Sequence, residues 1–401
     1  MAPTKCSVIL CFVRCARSGV EDVPLLSFIP SEERLALAAS AERVLRERFE
    51  SHTARCHSAA RWREFAELGW FAAAITEING GLRLPLSAWS VVAQTLAPAA
   101  AVEPFSTQVA QVGYVLDQAT ASGLRDQLLS AWLSAKSFIV LAHEEGEGAP
   151  WAHPMLATGY QLHGDICRLN GRKLLVLDGG HAEIYLVSAC QQDGQLAMFA
   201  VPSHSVGVQV FDRHSIDGRP HLELLLEDVE VPTSAQLTFP RVLTTLAASA
   251  WLHSYMLAAE AFGLLRAMLQ ATHTYLLARE QFGRALIEFQ VLQHRLVDMA
   301  LTLTRLESLL DIARLQCDER GPLNAAPYIA AAKAAIGGEG RGLTRQAVQL
   351  HGAIGLTAEL ALGAQLRRFL ALEMLGGTTA MHEHYWAAHR AELEAGDKVC
   401  P

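Results

Sequence analysis

Residues 279–310 read REQFGRALIEFQVLQHRLVDMALTLTRLESLL, and this stretch combines a long packing helix with polar residues that packing alone does not require. From Phe289 onward, apolar residues recur at spacings of three and four, which predicts a helix with one buried stripe. The predicted stripe consists of Leu292, Leu296, Met299, Leu303, Leu306 and Leu310.

The polar residues lie around the start of this helix. Arg279, Gln281 and Phe282 precede it, and Gln290 and Gln293 fall in its first turns. A fixed cation and side-chain amides near unpaired backbone N–H groups suit a phosphate ligand. The alternative is ordinary solvated surface, because Arg and Gln are mostly exposed wherever they occur.

A second stretch, residues 349–378, reads QLHGAIGLTAELALGAQLRRFLALEMLGGT. REQFG with FQ, followed by QLHG and a late GGT, resembles the C-terminal half of the acyl-CoA dehydrogenase family of flavoproteins. Residues 67–84 (ELGWFAAAITEINGGLRL) and 169–189 (LNGRKLLVLDGGHAEIYLVSA) resemble its N-terminal and middle segments. The resemblance covers roughly residues 28–389, and its specificity comes from the motifs occurring together and in order.

The resemblance implies an α+β multi-domain chain with the acyl-CoA dehydrogenase fold. We expect an N-terminal helical domain at 28–136, a middle β-barrel or sandwich domain at 137–236 and a C-terminal four-helix bundle at 237–395. Residues 1–27 read as a disordered extension. Local patterns agree: Ser31 is a plausible N-cap, and short strands recur about every ten residues from Phe138. Gly321-Pro322 and Gly337-Gly338 predict breaks between long antiparallel helices of the bundle.

Composition excludes several classes of partner. A net charge of −8 and the lack of any Lys/Arg run argue against nucleic acid. The eight cysteines show no CxxC pair and no paired spacing with histidine, so we expect no metal site, no disulfide framework and a cytoplasmic protein. The most apolar segment, residues 243–265, carries His253 and Glu260, which argues against a membrane span.

Members of the family remove the α-hydrogen of an acyl-CoA thioester with a glutamate, while FAD takes the β-hydrogen as a hydride. The resemblance therefore implies FAD as cofactor, acyl-CoA as substrate and an electron-transfer flavoprotein or similar acceptor. The two usual positions of the acid hold Gly376 and His253 in this chain. Glu373, nearly one helical turn before Gly376, is a candidate for a displaced base or an ordinary surface glutamate. His253 is either a base or a hydrogen-bonded core residue.

The family's contacts to the flavin ring are altered. Its T-E-P-x-x-G-S segment is HEEGEGA at 143–149, and its K-x-W-I-T/S-N-G segment is KLLVLDG at 173–179, so a hydroxyl and an aromatic ring are replaced. By contrast, the residues that the resemblance assigns to the ADP part of FAD across a subunit interface are present. They are Arg279, Gln281, Phe282, Gln290, Gln349, Gly352 and Thr378, with Ala353 where the family usually has a second glycine.

The ADP-binding residues are present, whereas the base positions and the contacts to the flavin ring are altered. The chain resembles the subunit without the catalytic base of heteromeric (α2β2) acyl-CoA dehydrogenases, in which a homologous partner supplies the glutamate. One alternative is a self-sufficient acyl-CoA or acyl-carrier dehydrogenase that uses Glu373. Another is a non-catalytic acyl-CoA-binding scaffold without flavin. The bundle helices carry more apolar residues than one internal stripe requires, which predicts an oligomer interface.

Overall fold

The computed structural model of the protein describes residues 31–49, 58–100, 103–146, 156–357 and 359–396, so the predicted extension 1–27 lies outside the described residues. The first part of the chain is helical, as predicted. Ser31 is the N-cap of the first helix, because its Oγ accepts a hydrogen bond of 3.2 Å from Arg34 N. The α-helices are α1 (Glu32–Arg48), α2 (Ala59–Glu67), α3 (Leu86–Leu96), α4 (Tyr114–Gln118) and α5 (Gly123–Leu133).

The helical segment before α5 is not one continuous α-helix. A short helical turn, Phe105–Thr107, leads into a π-helix, Gln108–Gly113, which continues into α4. The chain then turns and restarts with Ser122 as the N-cap of α5. The wider π-turn places Gln108 between two other elements: its Nε2 donates to Ile139 O at 2.8 Å, and its Oε1 accepts from Trp132 Nε1 at 2.9 Å.

The described residues of the middle domain form one eight-stranded β-sheet. Its strand order is β6-β7-β3-β2-β4-β5-β8, and β1 pairs in parallel with β4. The predicted boundary at 236/237 falls inside the last strand, so the sheet extends to Leu237. The strands are β1 (Ile139–Ala142), β2 (Gly159–His163), β3 (Ile166–Leu177), β4 (Ile184–Cys190), β5 (Leu196–Pro202), β6 (Val208–His214), β7 (Pro220–Pro232) and β8 (Gln236–Leu237).

Strand β3 continues through a glycine. Gly171 lies inside this strand, where the register between β3 and β7 shifts, with φ 153. A Cβ at Gly171 would lie 2.5 Å from the Thr158 Cα. The glycine therefore marks a β-bulge and a close approach of backbone, not the end of a strand.

The C-terminal part is helical apart from a two-stranded hairpin, β9 (Glu280–Gln281) and β10 (Arg284–Ala285). Four of the six predicted stripe residues, Leu296, Met299, Leu306 and Leu310, are buried, and Leu292 and Leu303 are half-buried. The helices are α6 (Val242–Ala278), α7 (Gln290–Asn324), α8 (Ala326–His351), α9 (Leu362–Met374) and α10 (Thr379–Gly396).

Of the two predicted helix breaks, one is present. Gly321 has non-helical φ 77 and ψ 163, and it kinks α7 near the C-terminal end of that helix. The break predicted at Gly337-Gly338 was wrong, because α8 passes through both residues. A Cβ on Gly337 would lie 2.2 Å from Thr379 Oγ1, so this glycine permits α10 to begin close against α8.

Among the described residues, α6 is the one helix long and apolar enough to cross a membrane. In the structure 83% of its most apolar 18-residue segment is buried in protein. Such burial is what the central helix of a bundle shows.

A buried ionic network joins the three domains. The Arg368 guanidinium on α9 donates to Glu260 Oε1 on α6 at 2.8 Å and to Asp217 Oδ2 in the β6–β7 turn at 2.9 Å. Ser106, from the helical domain, donates to Glu260 Oε2 at 2.8 Å. All four side chains are almost fully enclosed, so the charges are paired out of reach of water.

One acid near this network is poorly compensated. Burial raises the pKa of Asp178 to about 6 from the usual 3.8, although Arg219 and Arg368 lower it in part. Because the pKa of Asp178 is raised in the folded protein, this acid does not lower the free energy of unfolding below about pH 4. Its destabilising effect grows as the pH rises to about 6. Asp178→Asn should therefore increase the free energy of unfolding at pH 8 by about 1 to 3 kcal/mol and change it little near pH 4.

The measurement is urea unfolding of both proteins at the two pH values. Asn tolerates the left-handed φ of 57 at this position, so the substitution adds no backbone strain. Equal effects at both pH values would show that the Asp178 charge is not the cause.

Candidate functional site

The predicted phosphate-binding residues lie on a tight hairpin between α6 and α7. Arg279 ends α6, and its carbonyl accepts from Leu286 N at 2.8 Å on the far side of the hairpin. The two turn residues, Phe282 and Gly283, have φ values of 55 and 78. Positive φ at both central residues is the geometry of a type I′ hairpin turn, which matches the twist of the two strands.

The side chains of this hairpin face solvent. Arg279, Gln281 and Gln290 are exposed, and the Phe282 side chain is 90% exposed. The Arg279 guanidinium makes no hydrogen bond or ion pair with any described residue. Phe289, the N-cap of α7, gives no side-chain hydrogen bond to the first N–H groups of that helix. The hairpin therefore presents a cation, amides and free backbone donors together, which suits an anionic ligand.

Gln349 and Gly352 lie at the same end of the bundle. His351, the last residue of α8, stacks on Tyr275 near the end of α6, with ring centroids 4.5 Å apart. Gly352 is exposed at the end of α8 with φ 66. The structure thus brings six of the seven predicted ADP-binding residues, separated by up to 73 positions in sequence, to one end of the molecule.

Thr378, the seventh predicted residue, lies apart from this group within one chain. It precedes α10, where its Oγ1 accepts from Met381 N at 3.3 Å. The neighbouring Gly376 is bonded to Ser254, in the first half of α6. From Ser254 to Arg279 the helix advances by roughly 37 Å, at about 1.5 Å per residue. Within one chain, Thr378 and the hairpin therefore lie far apart along α6.

Gly376 occupies a closed, left-handed turn. Its φ is 66 and that of Gly377 is 95. The Gly376 carbonyl accepts hydrogen bonds of 2.9 Å from Ser254 Oγ and 2.9 Å from His382 Nε2. A Cβ at this position would lie 2.8 Å from Leu257 Cδ1. Both the backbone conformation and the neighbouring side chain therefore oppose any residue larger than glycine.

Glu373 is buried and points at α8. Its Oε1 forms an ion pair with Arg341 and accepts a hydrogen bond of 3.0 Å from Thr379 Oγ1. Lys333 of α8, also buried, donates to the Leu372 carbonyl at the end of α9. Burial lowers the pKa of Lys333 to about 7, and the nearby Glu373 partly opposes this shift. Glu373 is thus held within a polar contact between helices and is not an exposed surface glutamate.

His253 is a hydrogen-bonded core residue. Its Nε2 lies 3.2 Å from Thr107 Oγ1 and its Nδ1 lies 3.1 Å from Gln111 Nε2. Burial lowers the pKa of His253 to about 3, and Lys333 and Arg368 lower it further. The imidazole is therefore neutral at physiological pH and a very weak base.

The cleft between the middle domain and α6 is narrow. Its volume is about 20 Å³, close to that of one water molecule, whereas ligand pockets usually measure about 300 to 1,000 Å³. As the described residues lie, this space holds about one water molecule. The lining residues are Gln111, Leu141, His143, Glu144, Leu175, Leu177, Leu246, Ser249 and Ala250.

A buried lysine stands behind this cleft. Lys173 Nζ pairs with Glu145 Oε1 at 2.5 Å and donates to Ser188 Oγ at 3.2 Å, where the Ser188 hydroxyl also lies 2.7 Å from His143 Nδ1. Burial lowers the pKa of Lys173 to about 8, against the opposing effect of Glu145. Burial also raises the pKa of Glu144 to about 7. The polar side chains that border the cleft thus form hydrogen bonds within the protein, apart from that of Glu144.

Sequence reasoning missed several residues that shape this region. Gln111 is in a π-helix, and the Arg368 network connects domains through contacting residues that are up to 154 positions apart in sequence. The only available signal was that an Arg or Gln in an apolar segment needs a partner. The partner itself is not visible in a local pattern.

Comparison with known proteins places the chain in a family. The model for the acyl-CoA dehydrogenase N-terminal domain matches residues 31–136, and the model for the acyl-CoA dehydrogenase C-terminal domain matches residues 247–389. Together these matches cover more than half of the chain. The protein belongs to the acyl-CoA dehydrogenase family.

Individual relatives agree with this assignment. A probable acyl-CoA dehydrogenase of Mycobacterium bovis, fadE25, is 26% identical over 363 residues, which is 86% of this chain and 91% of that protein. A glutaryl-CoA dehydrogenase from Mycobacterium smegmatis, solved in complex with FADH2, superposes with a TM-score of 0.81 at 20% identity, covering 89% of this chain and 94% of that one.

A chain from the ChsE4–ChsE5 complex of Mycobacterium tuberculosis superposes with a TM-score of 0.78 at 21% identity. The match covers 91% of this chain and 99% of that one. These solved structures establish the acyl-CoA dehydrogenase fold, with its helical, β-sheet and helical domains. The expected cofactor, FAD, agrees with the reduced form bound in the glutaryl-CoA dehydrogenase.

The closed turn at Gly376 predicts a large effect of a small substitution. Gly376→Ala should lower the free energy of unfolding by about 2 to 4 kcal/mol, because it combines a left-handed L residue with a contact on Leu257. Gly342→Ala is the matched control, since Gly342 is exposed in α8 and a Cβ there would have no atom within 4 Å. That control should stabilise the protein by about 0.5 to 1 kcal/mol. Urea unfolding measures both, and equal changes would contradict the steric account.

Proposed function

We propose that this chain is a subunit of a hetero-oligomeric, FAD-dependent acyl-CoA dehydrogenase. A homologous partner supplies the catalytic glutamate for α,β-desaturation of an acyl-CoA thioester. This chain supplies the half-site that binds the ADP part of the partner's FAD. The complex works in the cytoplasm and passes electrons to an electron-transfer flavoprotein or a similar acceptor.

The geometry of Gly376 is the observation that carries this proposal. By resemblance, the position before the late G-T is where the family usually has its catalytic acid. Here the φ of 66 and the proximity of Leu257 oppose any side chain, so the turn is built for glycine. A side chain at this position would require a strained left-handed residue and a shift of the Leu257 side chain.

The other candidates for the base are occupied by structural contacts. The His253 imidazole has both nitrogens engaged and a pKa lowered to about 3 by burial. The Glu373 carboxylate pairs with Arg341 and Thr379. General base catalysis contributes roughly 10² to 10⁴-fold to a rate, and neither group is free to provide it.

The distance between the two ends of α6 supports a shared site. The hairpin residues lie roughly 37 Å along the helix from the Gly376 turn, which is farther than one dinucleotide extends. The two sets of residues therefore belong to two different cofactor sites. One of the structurally similar chains was solved in a complex, ChsE4–ChsE5, which is consistent with an assembly of two homologous proteins.

Exposed apolar residues supply a surface for such an assembly. Phe282 is almost completely exposed, and the first turns of α7, which follow the hairpin, expose Val291, Val297 and Leu301. Water-exposed apolar groups concentrated near a polar half-site are typical of a protein–protein interface. This arrangement favours an oligomer in which the hairpin contacts a second subunit.

In the complex, the residues of this chain bind and orient, and they do no proton chemistry. Arg279 would contact pyrophosphate oxygens, while Gln281 and Gln290 would add amide donors. Phe282 would cover the ligand from water. When bound, FAD supplies the acceptor for the β-hydrogen of the acyl group, which leaves as a hydride.

Two alternative functions predict different properties of the purified chain. A self-sufficient dehydrogenase that uses Glu373 would be a yellow homo-oligomer. A non-catalytic acyl-CoA-binding scaffold would remain free of flavin under all conditions. The proposed subunit should be colourless alone and yellow when isolated with its partner through a tag on this chain.

The first prediction for this function concerns activity. The chain alone should not reduce an electron-accepting dye with acyl-CoAs of several chain lengths, because it lacks an available base. The complex isolated from the native host should do so. Turnover by the chain alone that is lost in Glu373→Gln would contradict the proposal and establish the self-sufficient enzyme.

The second prediction concerns Arg279. Arg279→Ala should weaken FAD binding by the complex roughly ten- to a hundredfold, because it removes at least one charge-assisted hydrogen bond worth about 1.5 to 3 kcal/mol. Arg279→Lys should restore only part of the affinity, since a point charge does not reproduce a two-pronged contact. Titration with FAD measures these dissociation constants.

Arg295→Ala is the matched control, because Arg295 is exposed on α7 and makes no ion pair with the described residues. The melting temperature of the flavin-free chain should be the same in all these variants. An unchanged FAD affinity together with a lower melting temperature in Arg279→Ala would identify Arg279 as a structural residue.

A further inference from the structure

The hairpin turn contains a backbone conformation that its residue type does not favour. Phe282 has φ 55, and bulky residues are rare in the left-handed region. Two-residue turns of this kind usually carry Asn, Asp or Gly at the first position. Because the Phe282 side chain is 90% exposed, burial of its own ring does not offset the strain. Contacts elsewhere in the hairpin must hold the turn.

Phe289, just before α7, provides one such contact. The Phe282 ring meets the Phe289 ring edge to face, with centroids 6.2 Å apart and planes at 82°. The strands flanking the turn pair through Arg284 with Gln281 and Ala285 with Glu280. The aromatic contact therefore links the tip of the hairpin to the start of α7.

Arg284 completes this arrangement. Its guanidinium carbon lies 3.9 Å from the centroid of the Phe289 ring, which is a close cation–π stack. Arg284 forms no ion pair with the described residues, so the ring is its principal contact there. A planar guanidinium can stack on a ring face in a way that an ammonium cannot. Phe289 is thus contacted by both residues that flank Gly283.

We propose that Arg284 is a positioning residue of the ADP half-site. Through its stack on Phe289, Arg284 stabilises the left-handed turn at Phe282. This turn then fixes the orientation of the Arg279 and Gln281 side chains. Arg284 itself does not contact the ligand. The identity of the ligand rests on the proposed function, whereas the effect on the hairpin rests on the geometry of the chain alone.

The first test uses the full chain without FAD. Hydrogen–deuterium exchange of the peptide that covers residues 280–285 should be about two- to fivefold faster in Arg284→Gln, as expected for the loss of one exposed cation–π contact. The control is Arg295→Gln on α7, which changes the net charge by the same amount as Arg284→Gln. It should leave this exchange unchanged. Equal exchange in Arg284→Gln and the wild-type chain would overturn the proposal.

The second test uses the complex and a double-mutant cycle with Phe289→Leu. Arg284→Gln should weaken FAD binding about two- to fivefold in the wild-type background and cause no further loss in the Phe289→Leu background. If Arg284→Gln weakens FAD binding equally in both backgrounds, Arg284 acts on the ligand directly, and the positioning role is overturned.

The two tests separate this inference from the function it serves. Faster exchange in Arg284→Gln, combined with a wild-type complex that binds no FAD, would refute the proposed function and support the Arg284 contact. Unchanged exchange, combined with an FAD-binding complex that depends on Arg279, would refute the Arg284 contact and support the proposed function.

Discussion

The packing of the three domains depends on the buried guanidinium of Arg368. It donates hydrogen bonds to Glu260 on α6 and to Asp217 in the β-sheet domain. Ser106 from the helical domain donates a further hydrogen bond to the Glu260 carboxylate. Breaking such a buried pair by removing one partner typically costs about 3 to 5 kcal/mol, because the remaining charge is left without compensation. The sheet is therefore held close against α6. The narrowness of the cleft between the two follows from this close packing.

The same packing explains why the polar residues near the cleft are structural. His253 and Gln111 satisfy each other inside the core, and Lys173 is fully enclosed with Glu145. A buried polar group that is fully hydrogen-bonded stabilises one arrangement of the core. Leu175 and Leu177 line the remaining space without hydrogen-bonding capacity. These polar groups are thus paired within the protein, whereas Arg279 on the surface hairpin is exposed.

The length of α6 separates these two regions. One part of the helix carries the contacts to Gly376 and the cleft, and its last turn carries Arg279. A rigid helix of 37 residues keeps the two regions apart at a constant distance. Within one chain, the two regions therefore do not meet. This constraint connects the architecture of a single chain with the assembly that we propose.

The sequence by itself determined the order of helical and strand-rich regions, the stripe from Leu296 to Leu310 and the family, because periodicity and motif order are local properties of the chain. Only the tertiary structure decided the roles of individual residues. Gly337 was predicted to break a helix, yet it provides room for Thr379, and Glu373 was a candidate base, yet it pairs with Arg341. In each case the deciding contact joins residues on different elements, and a local pattern carries no information about such contacts.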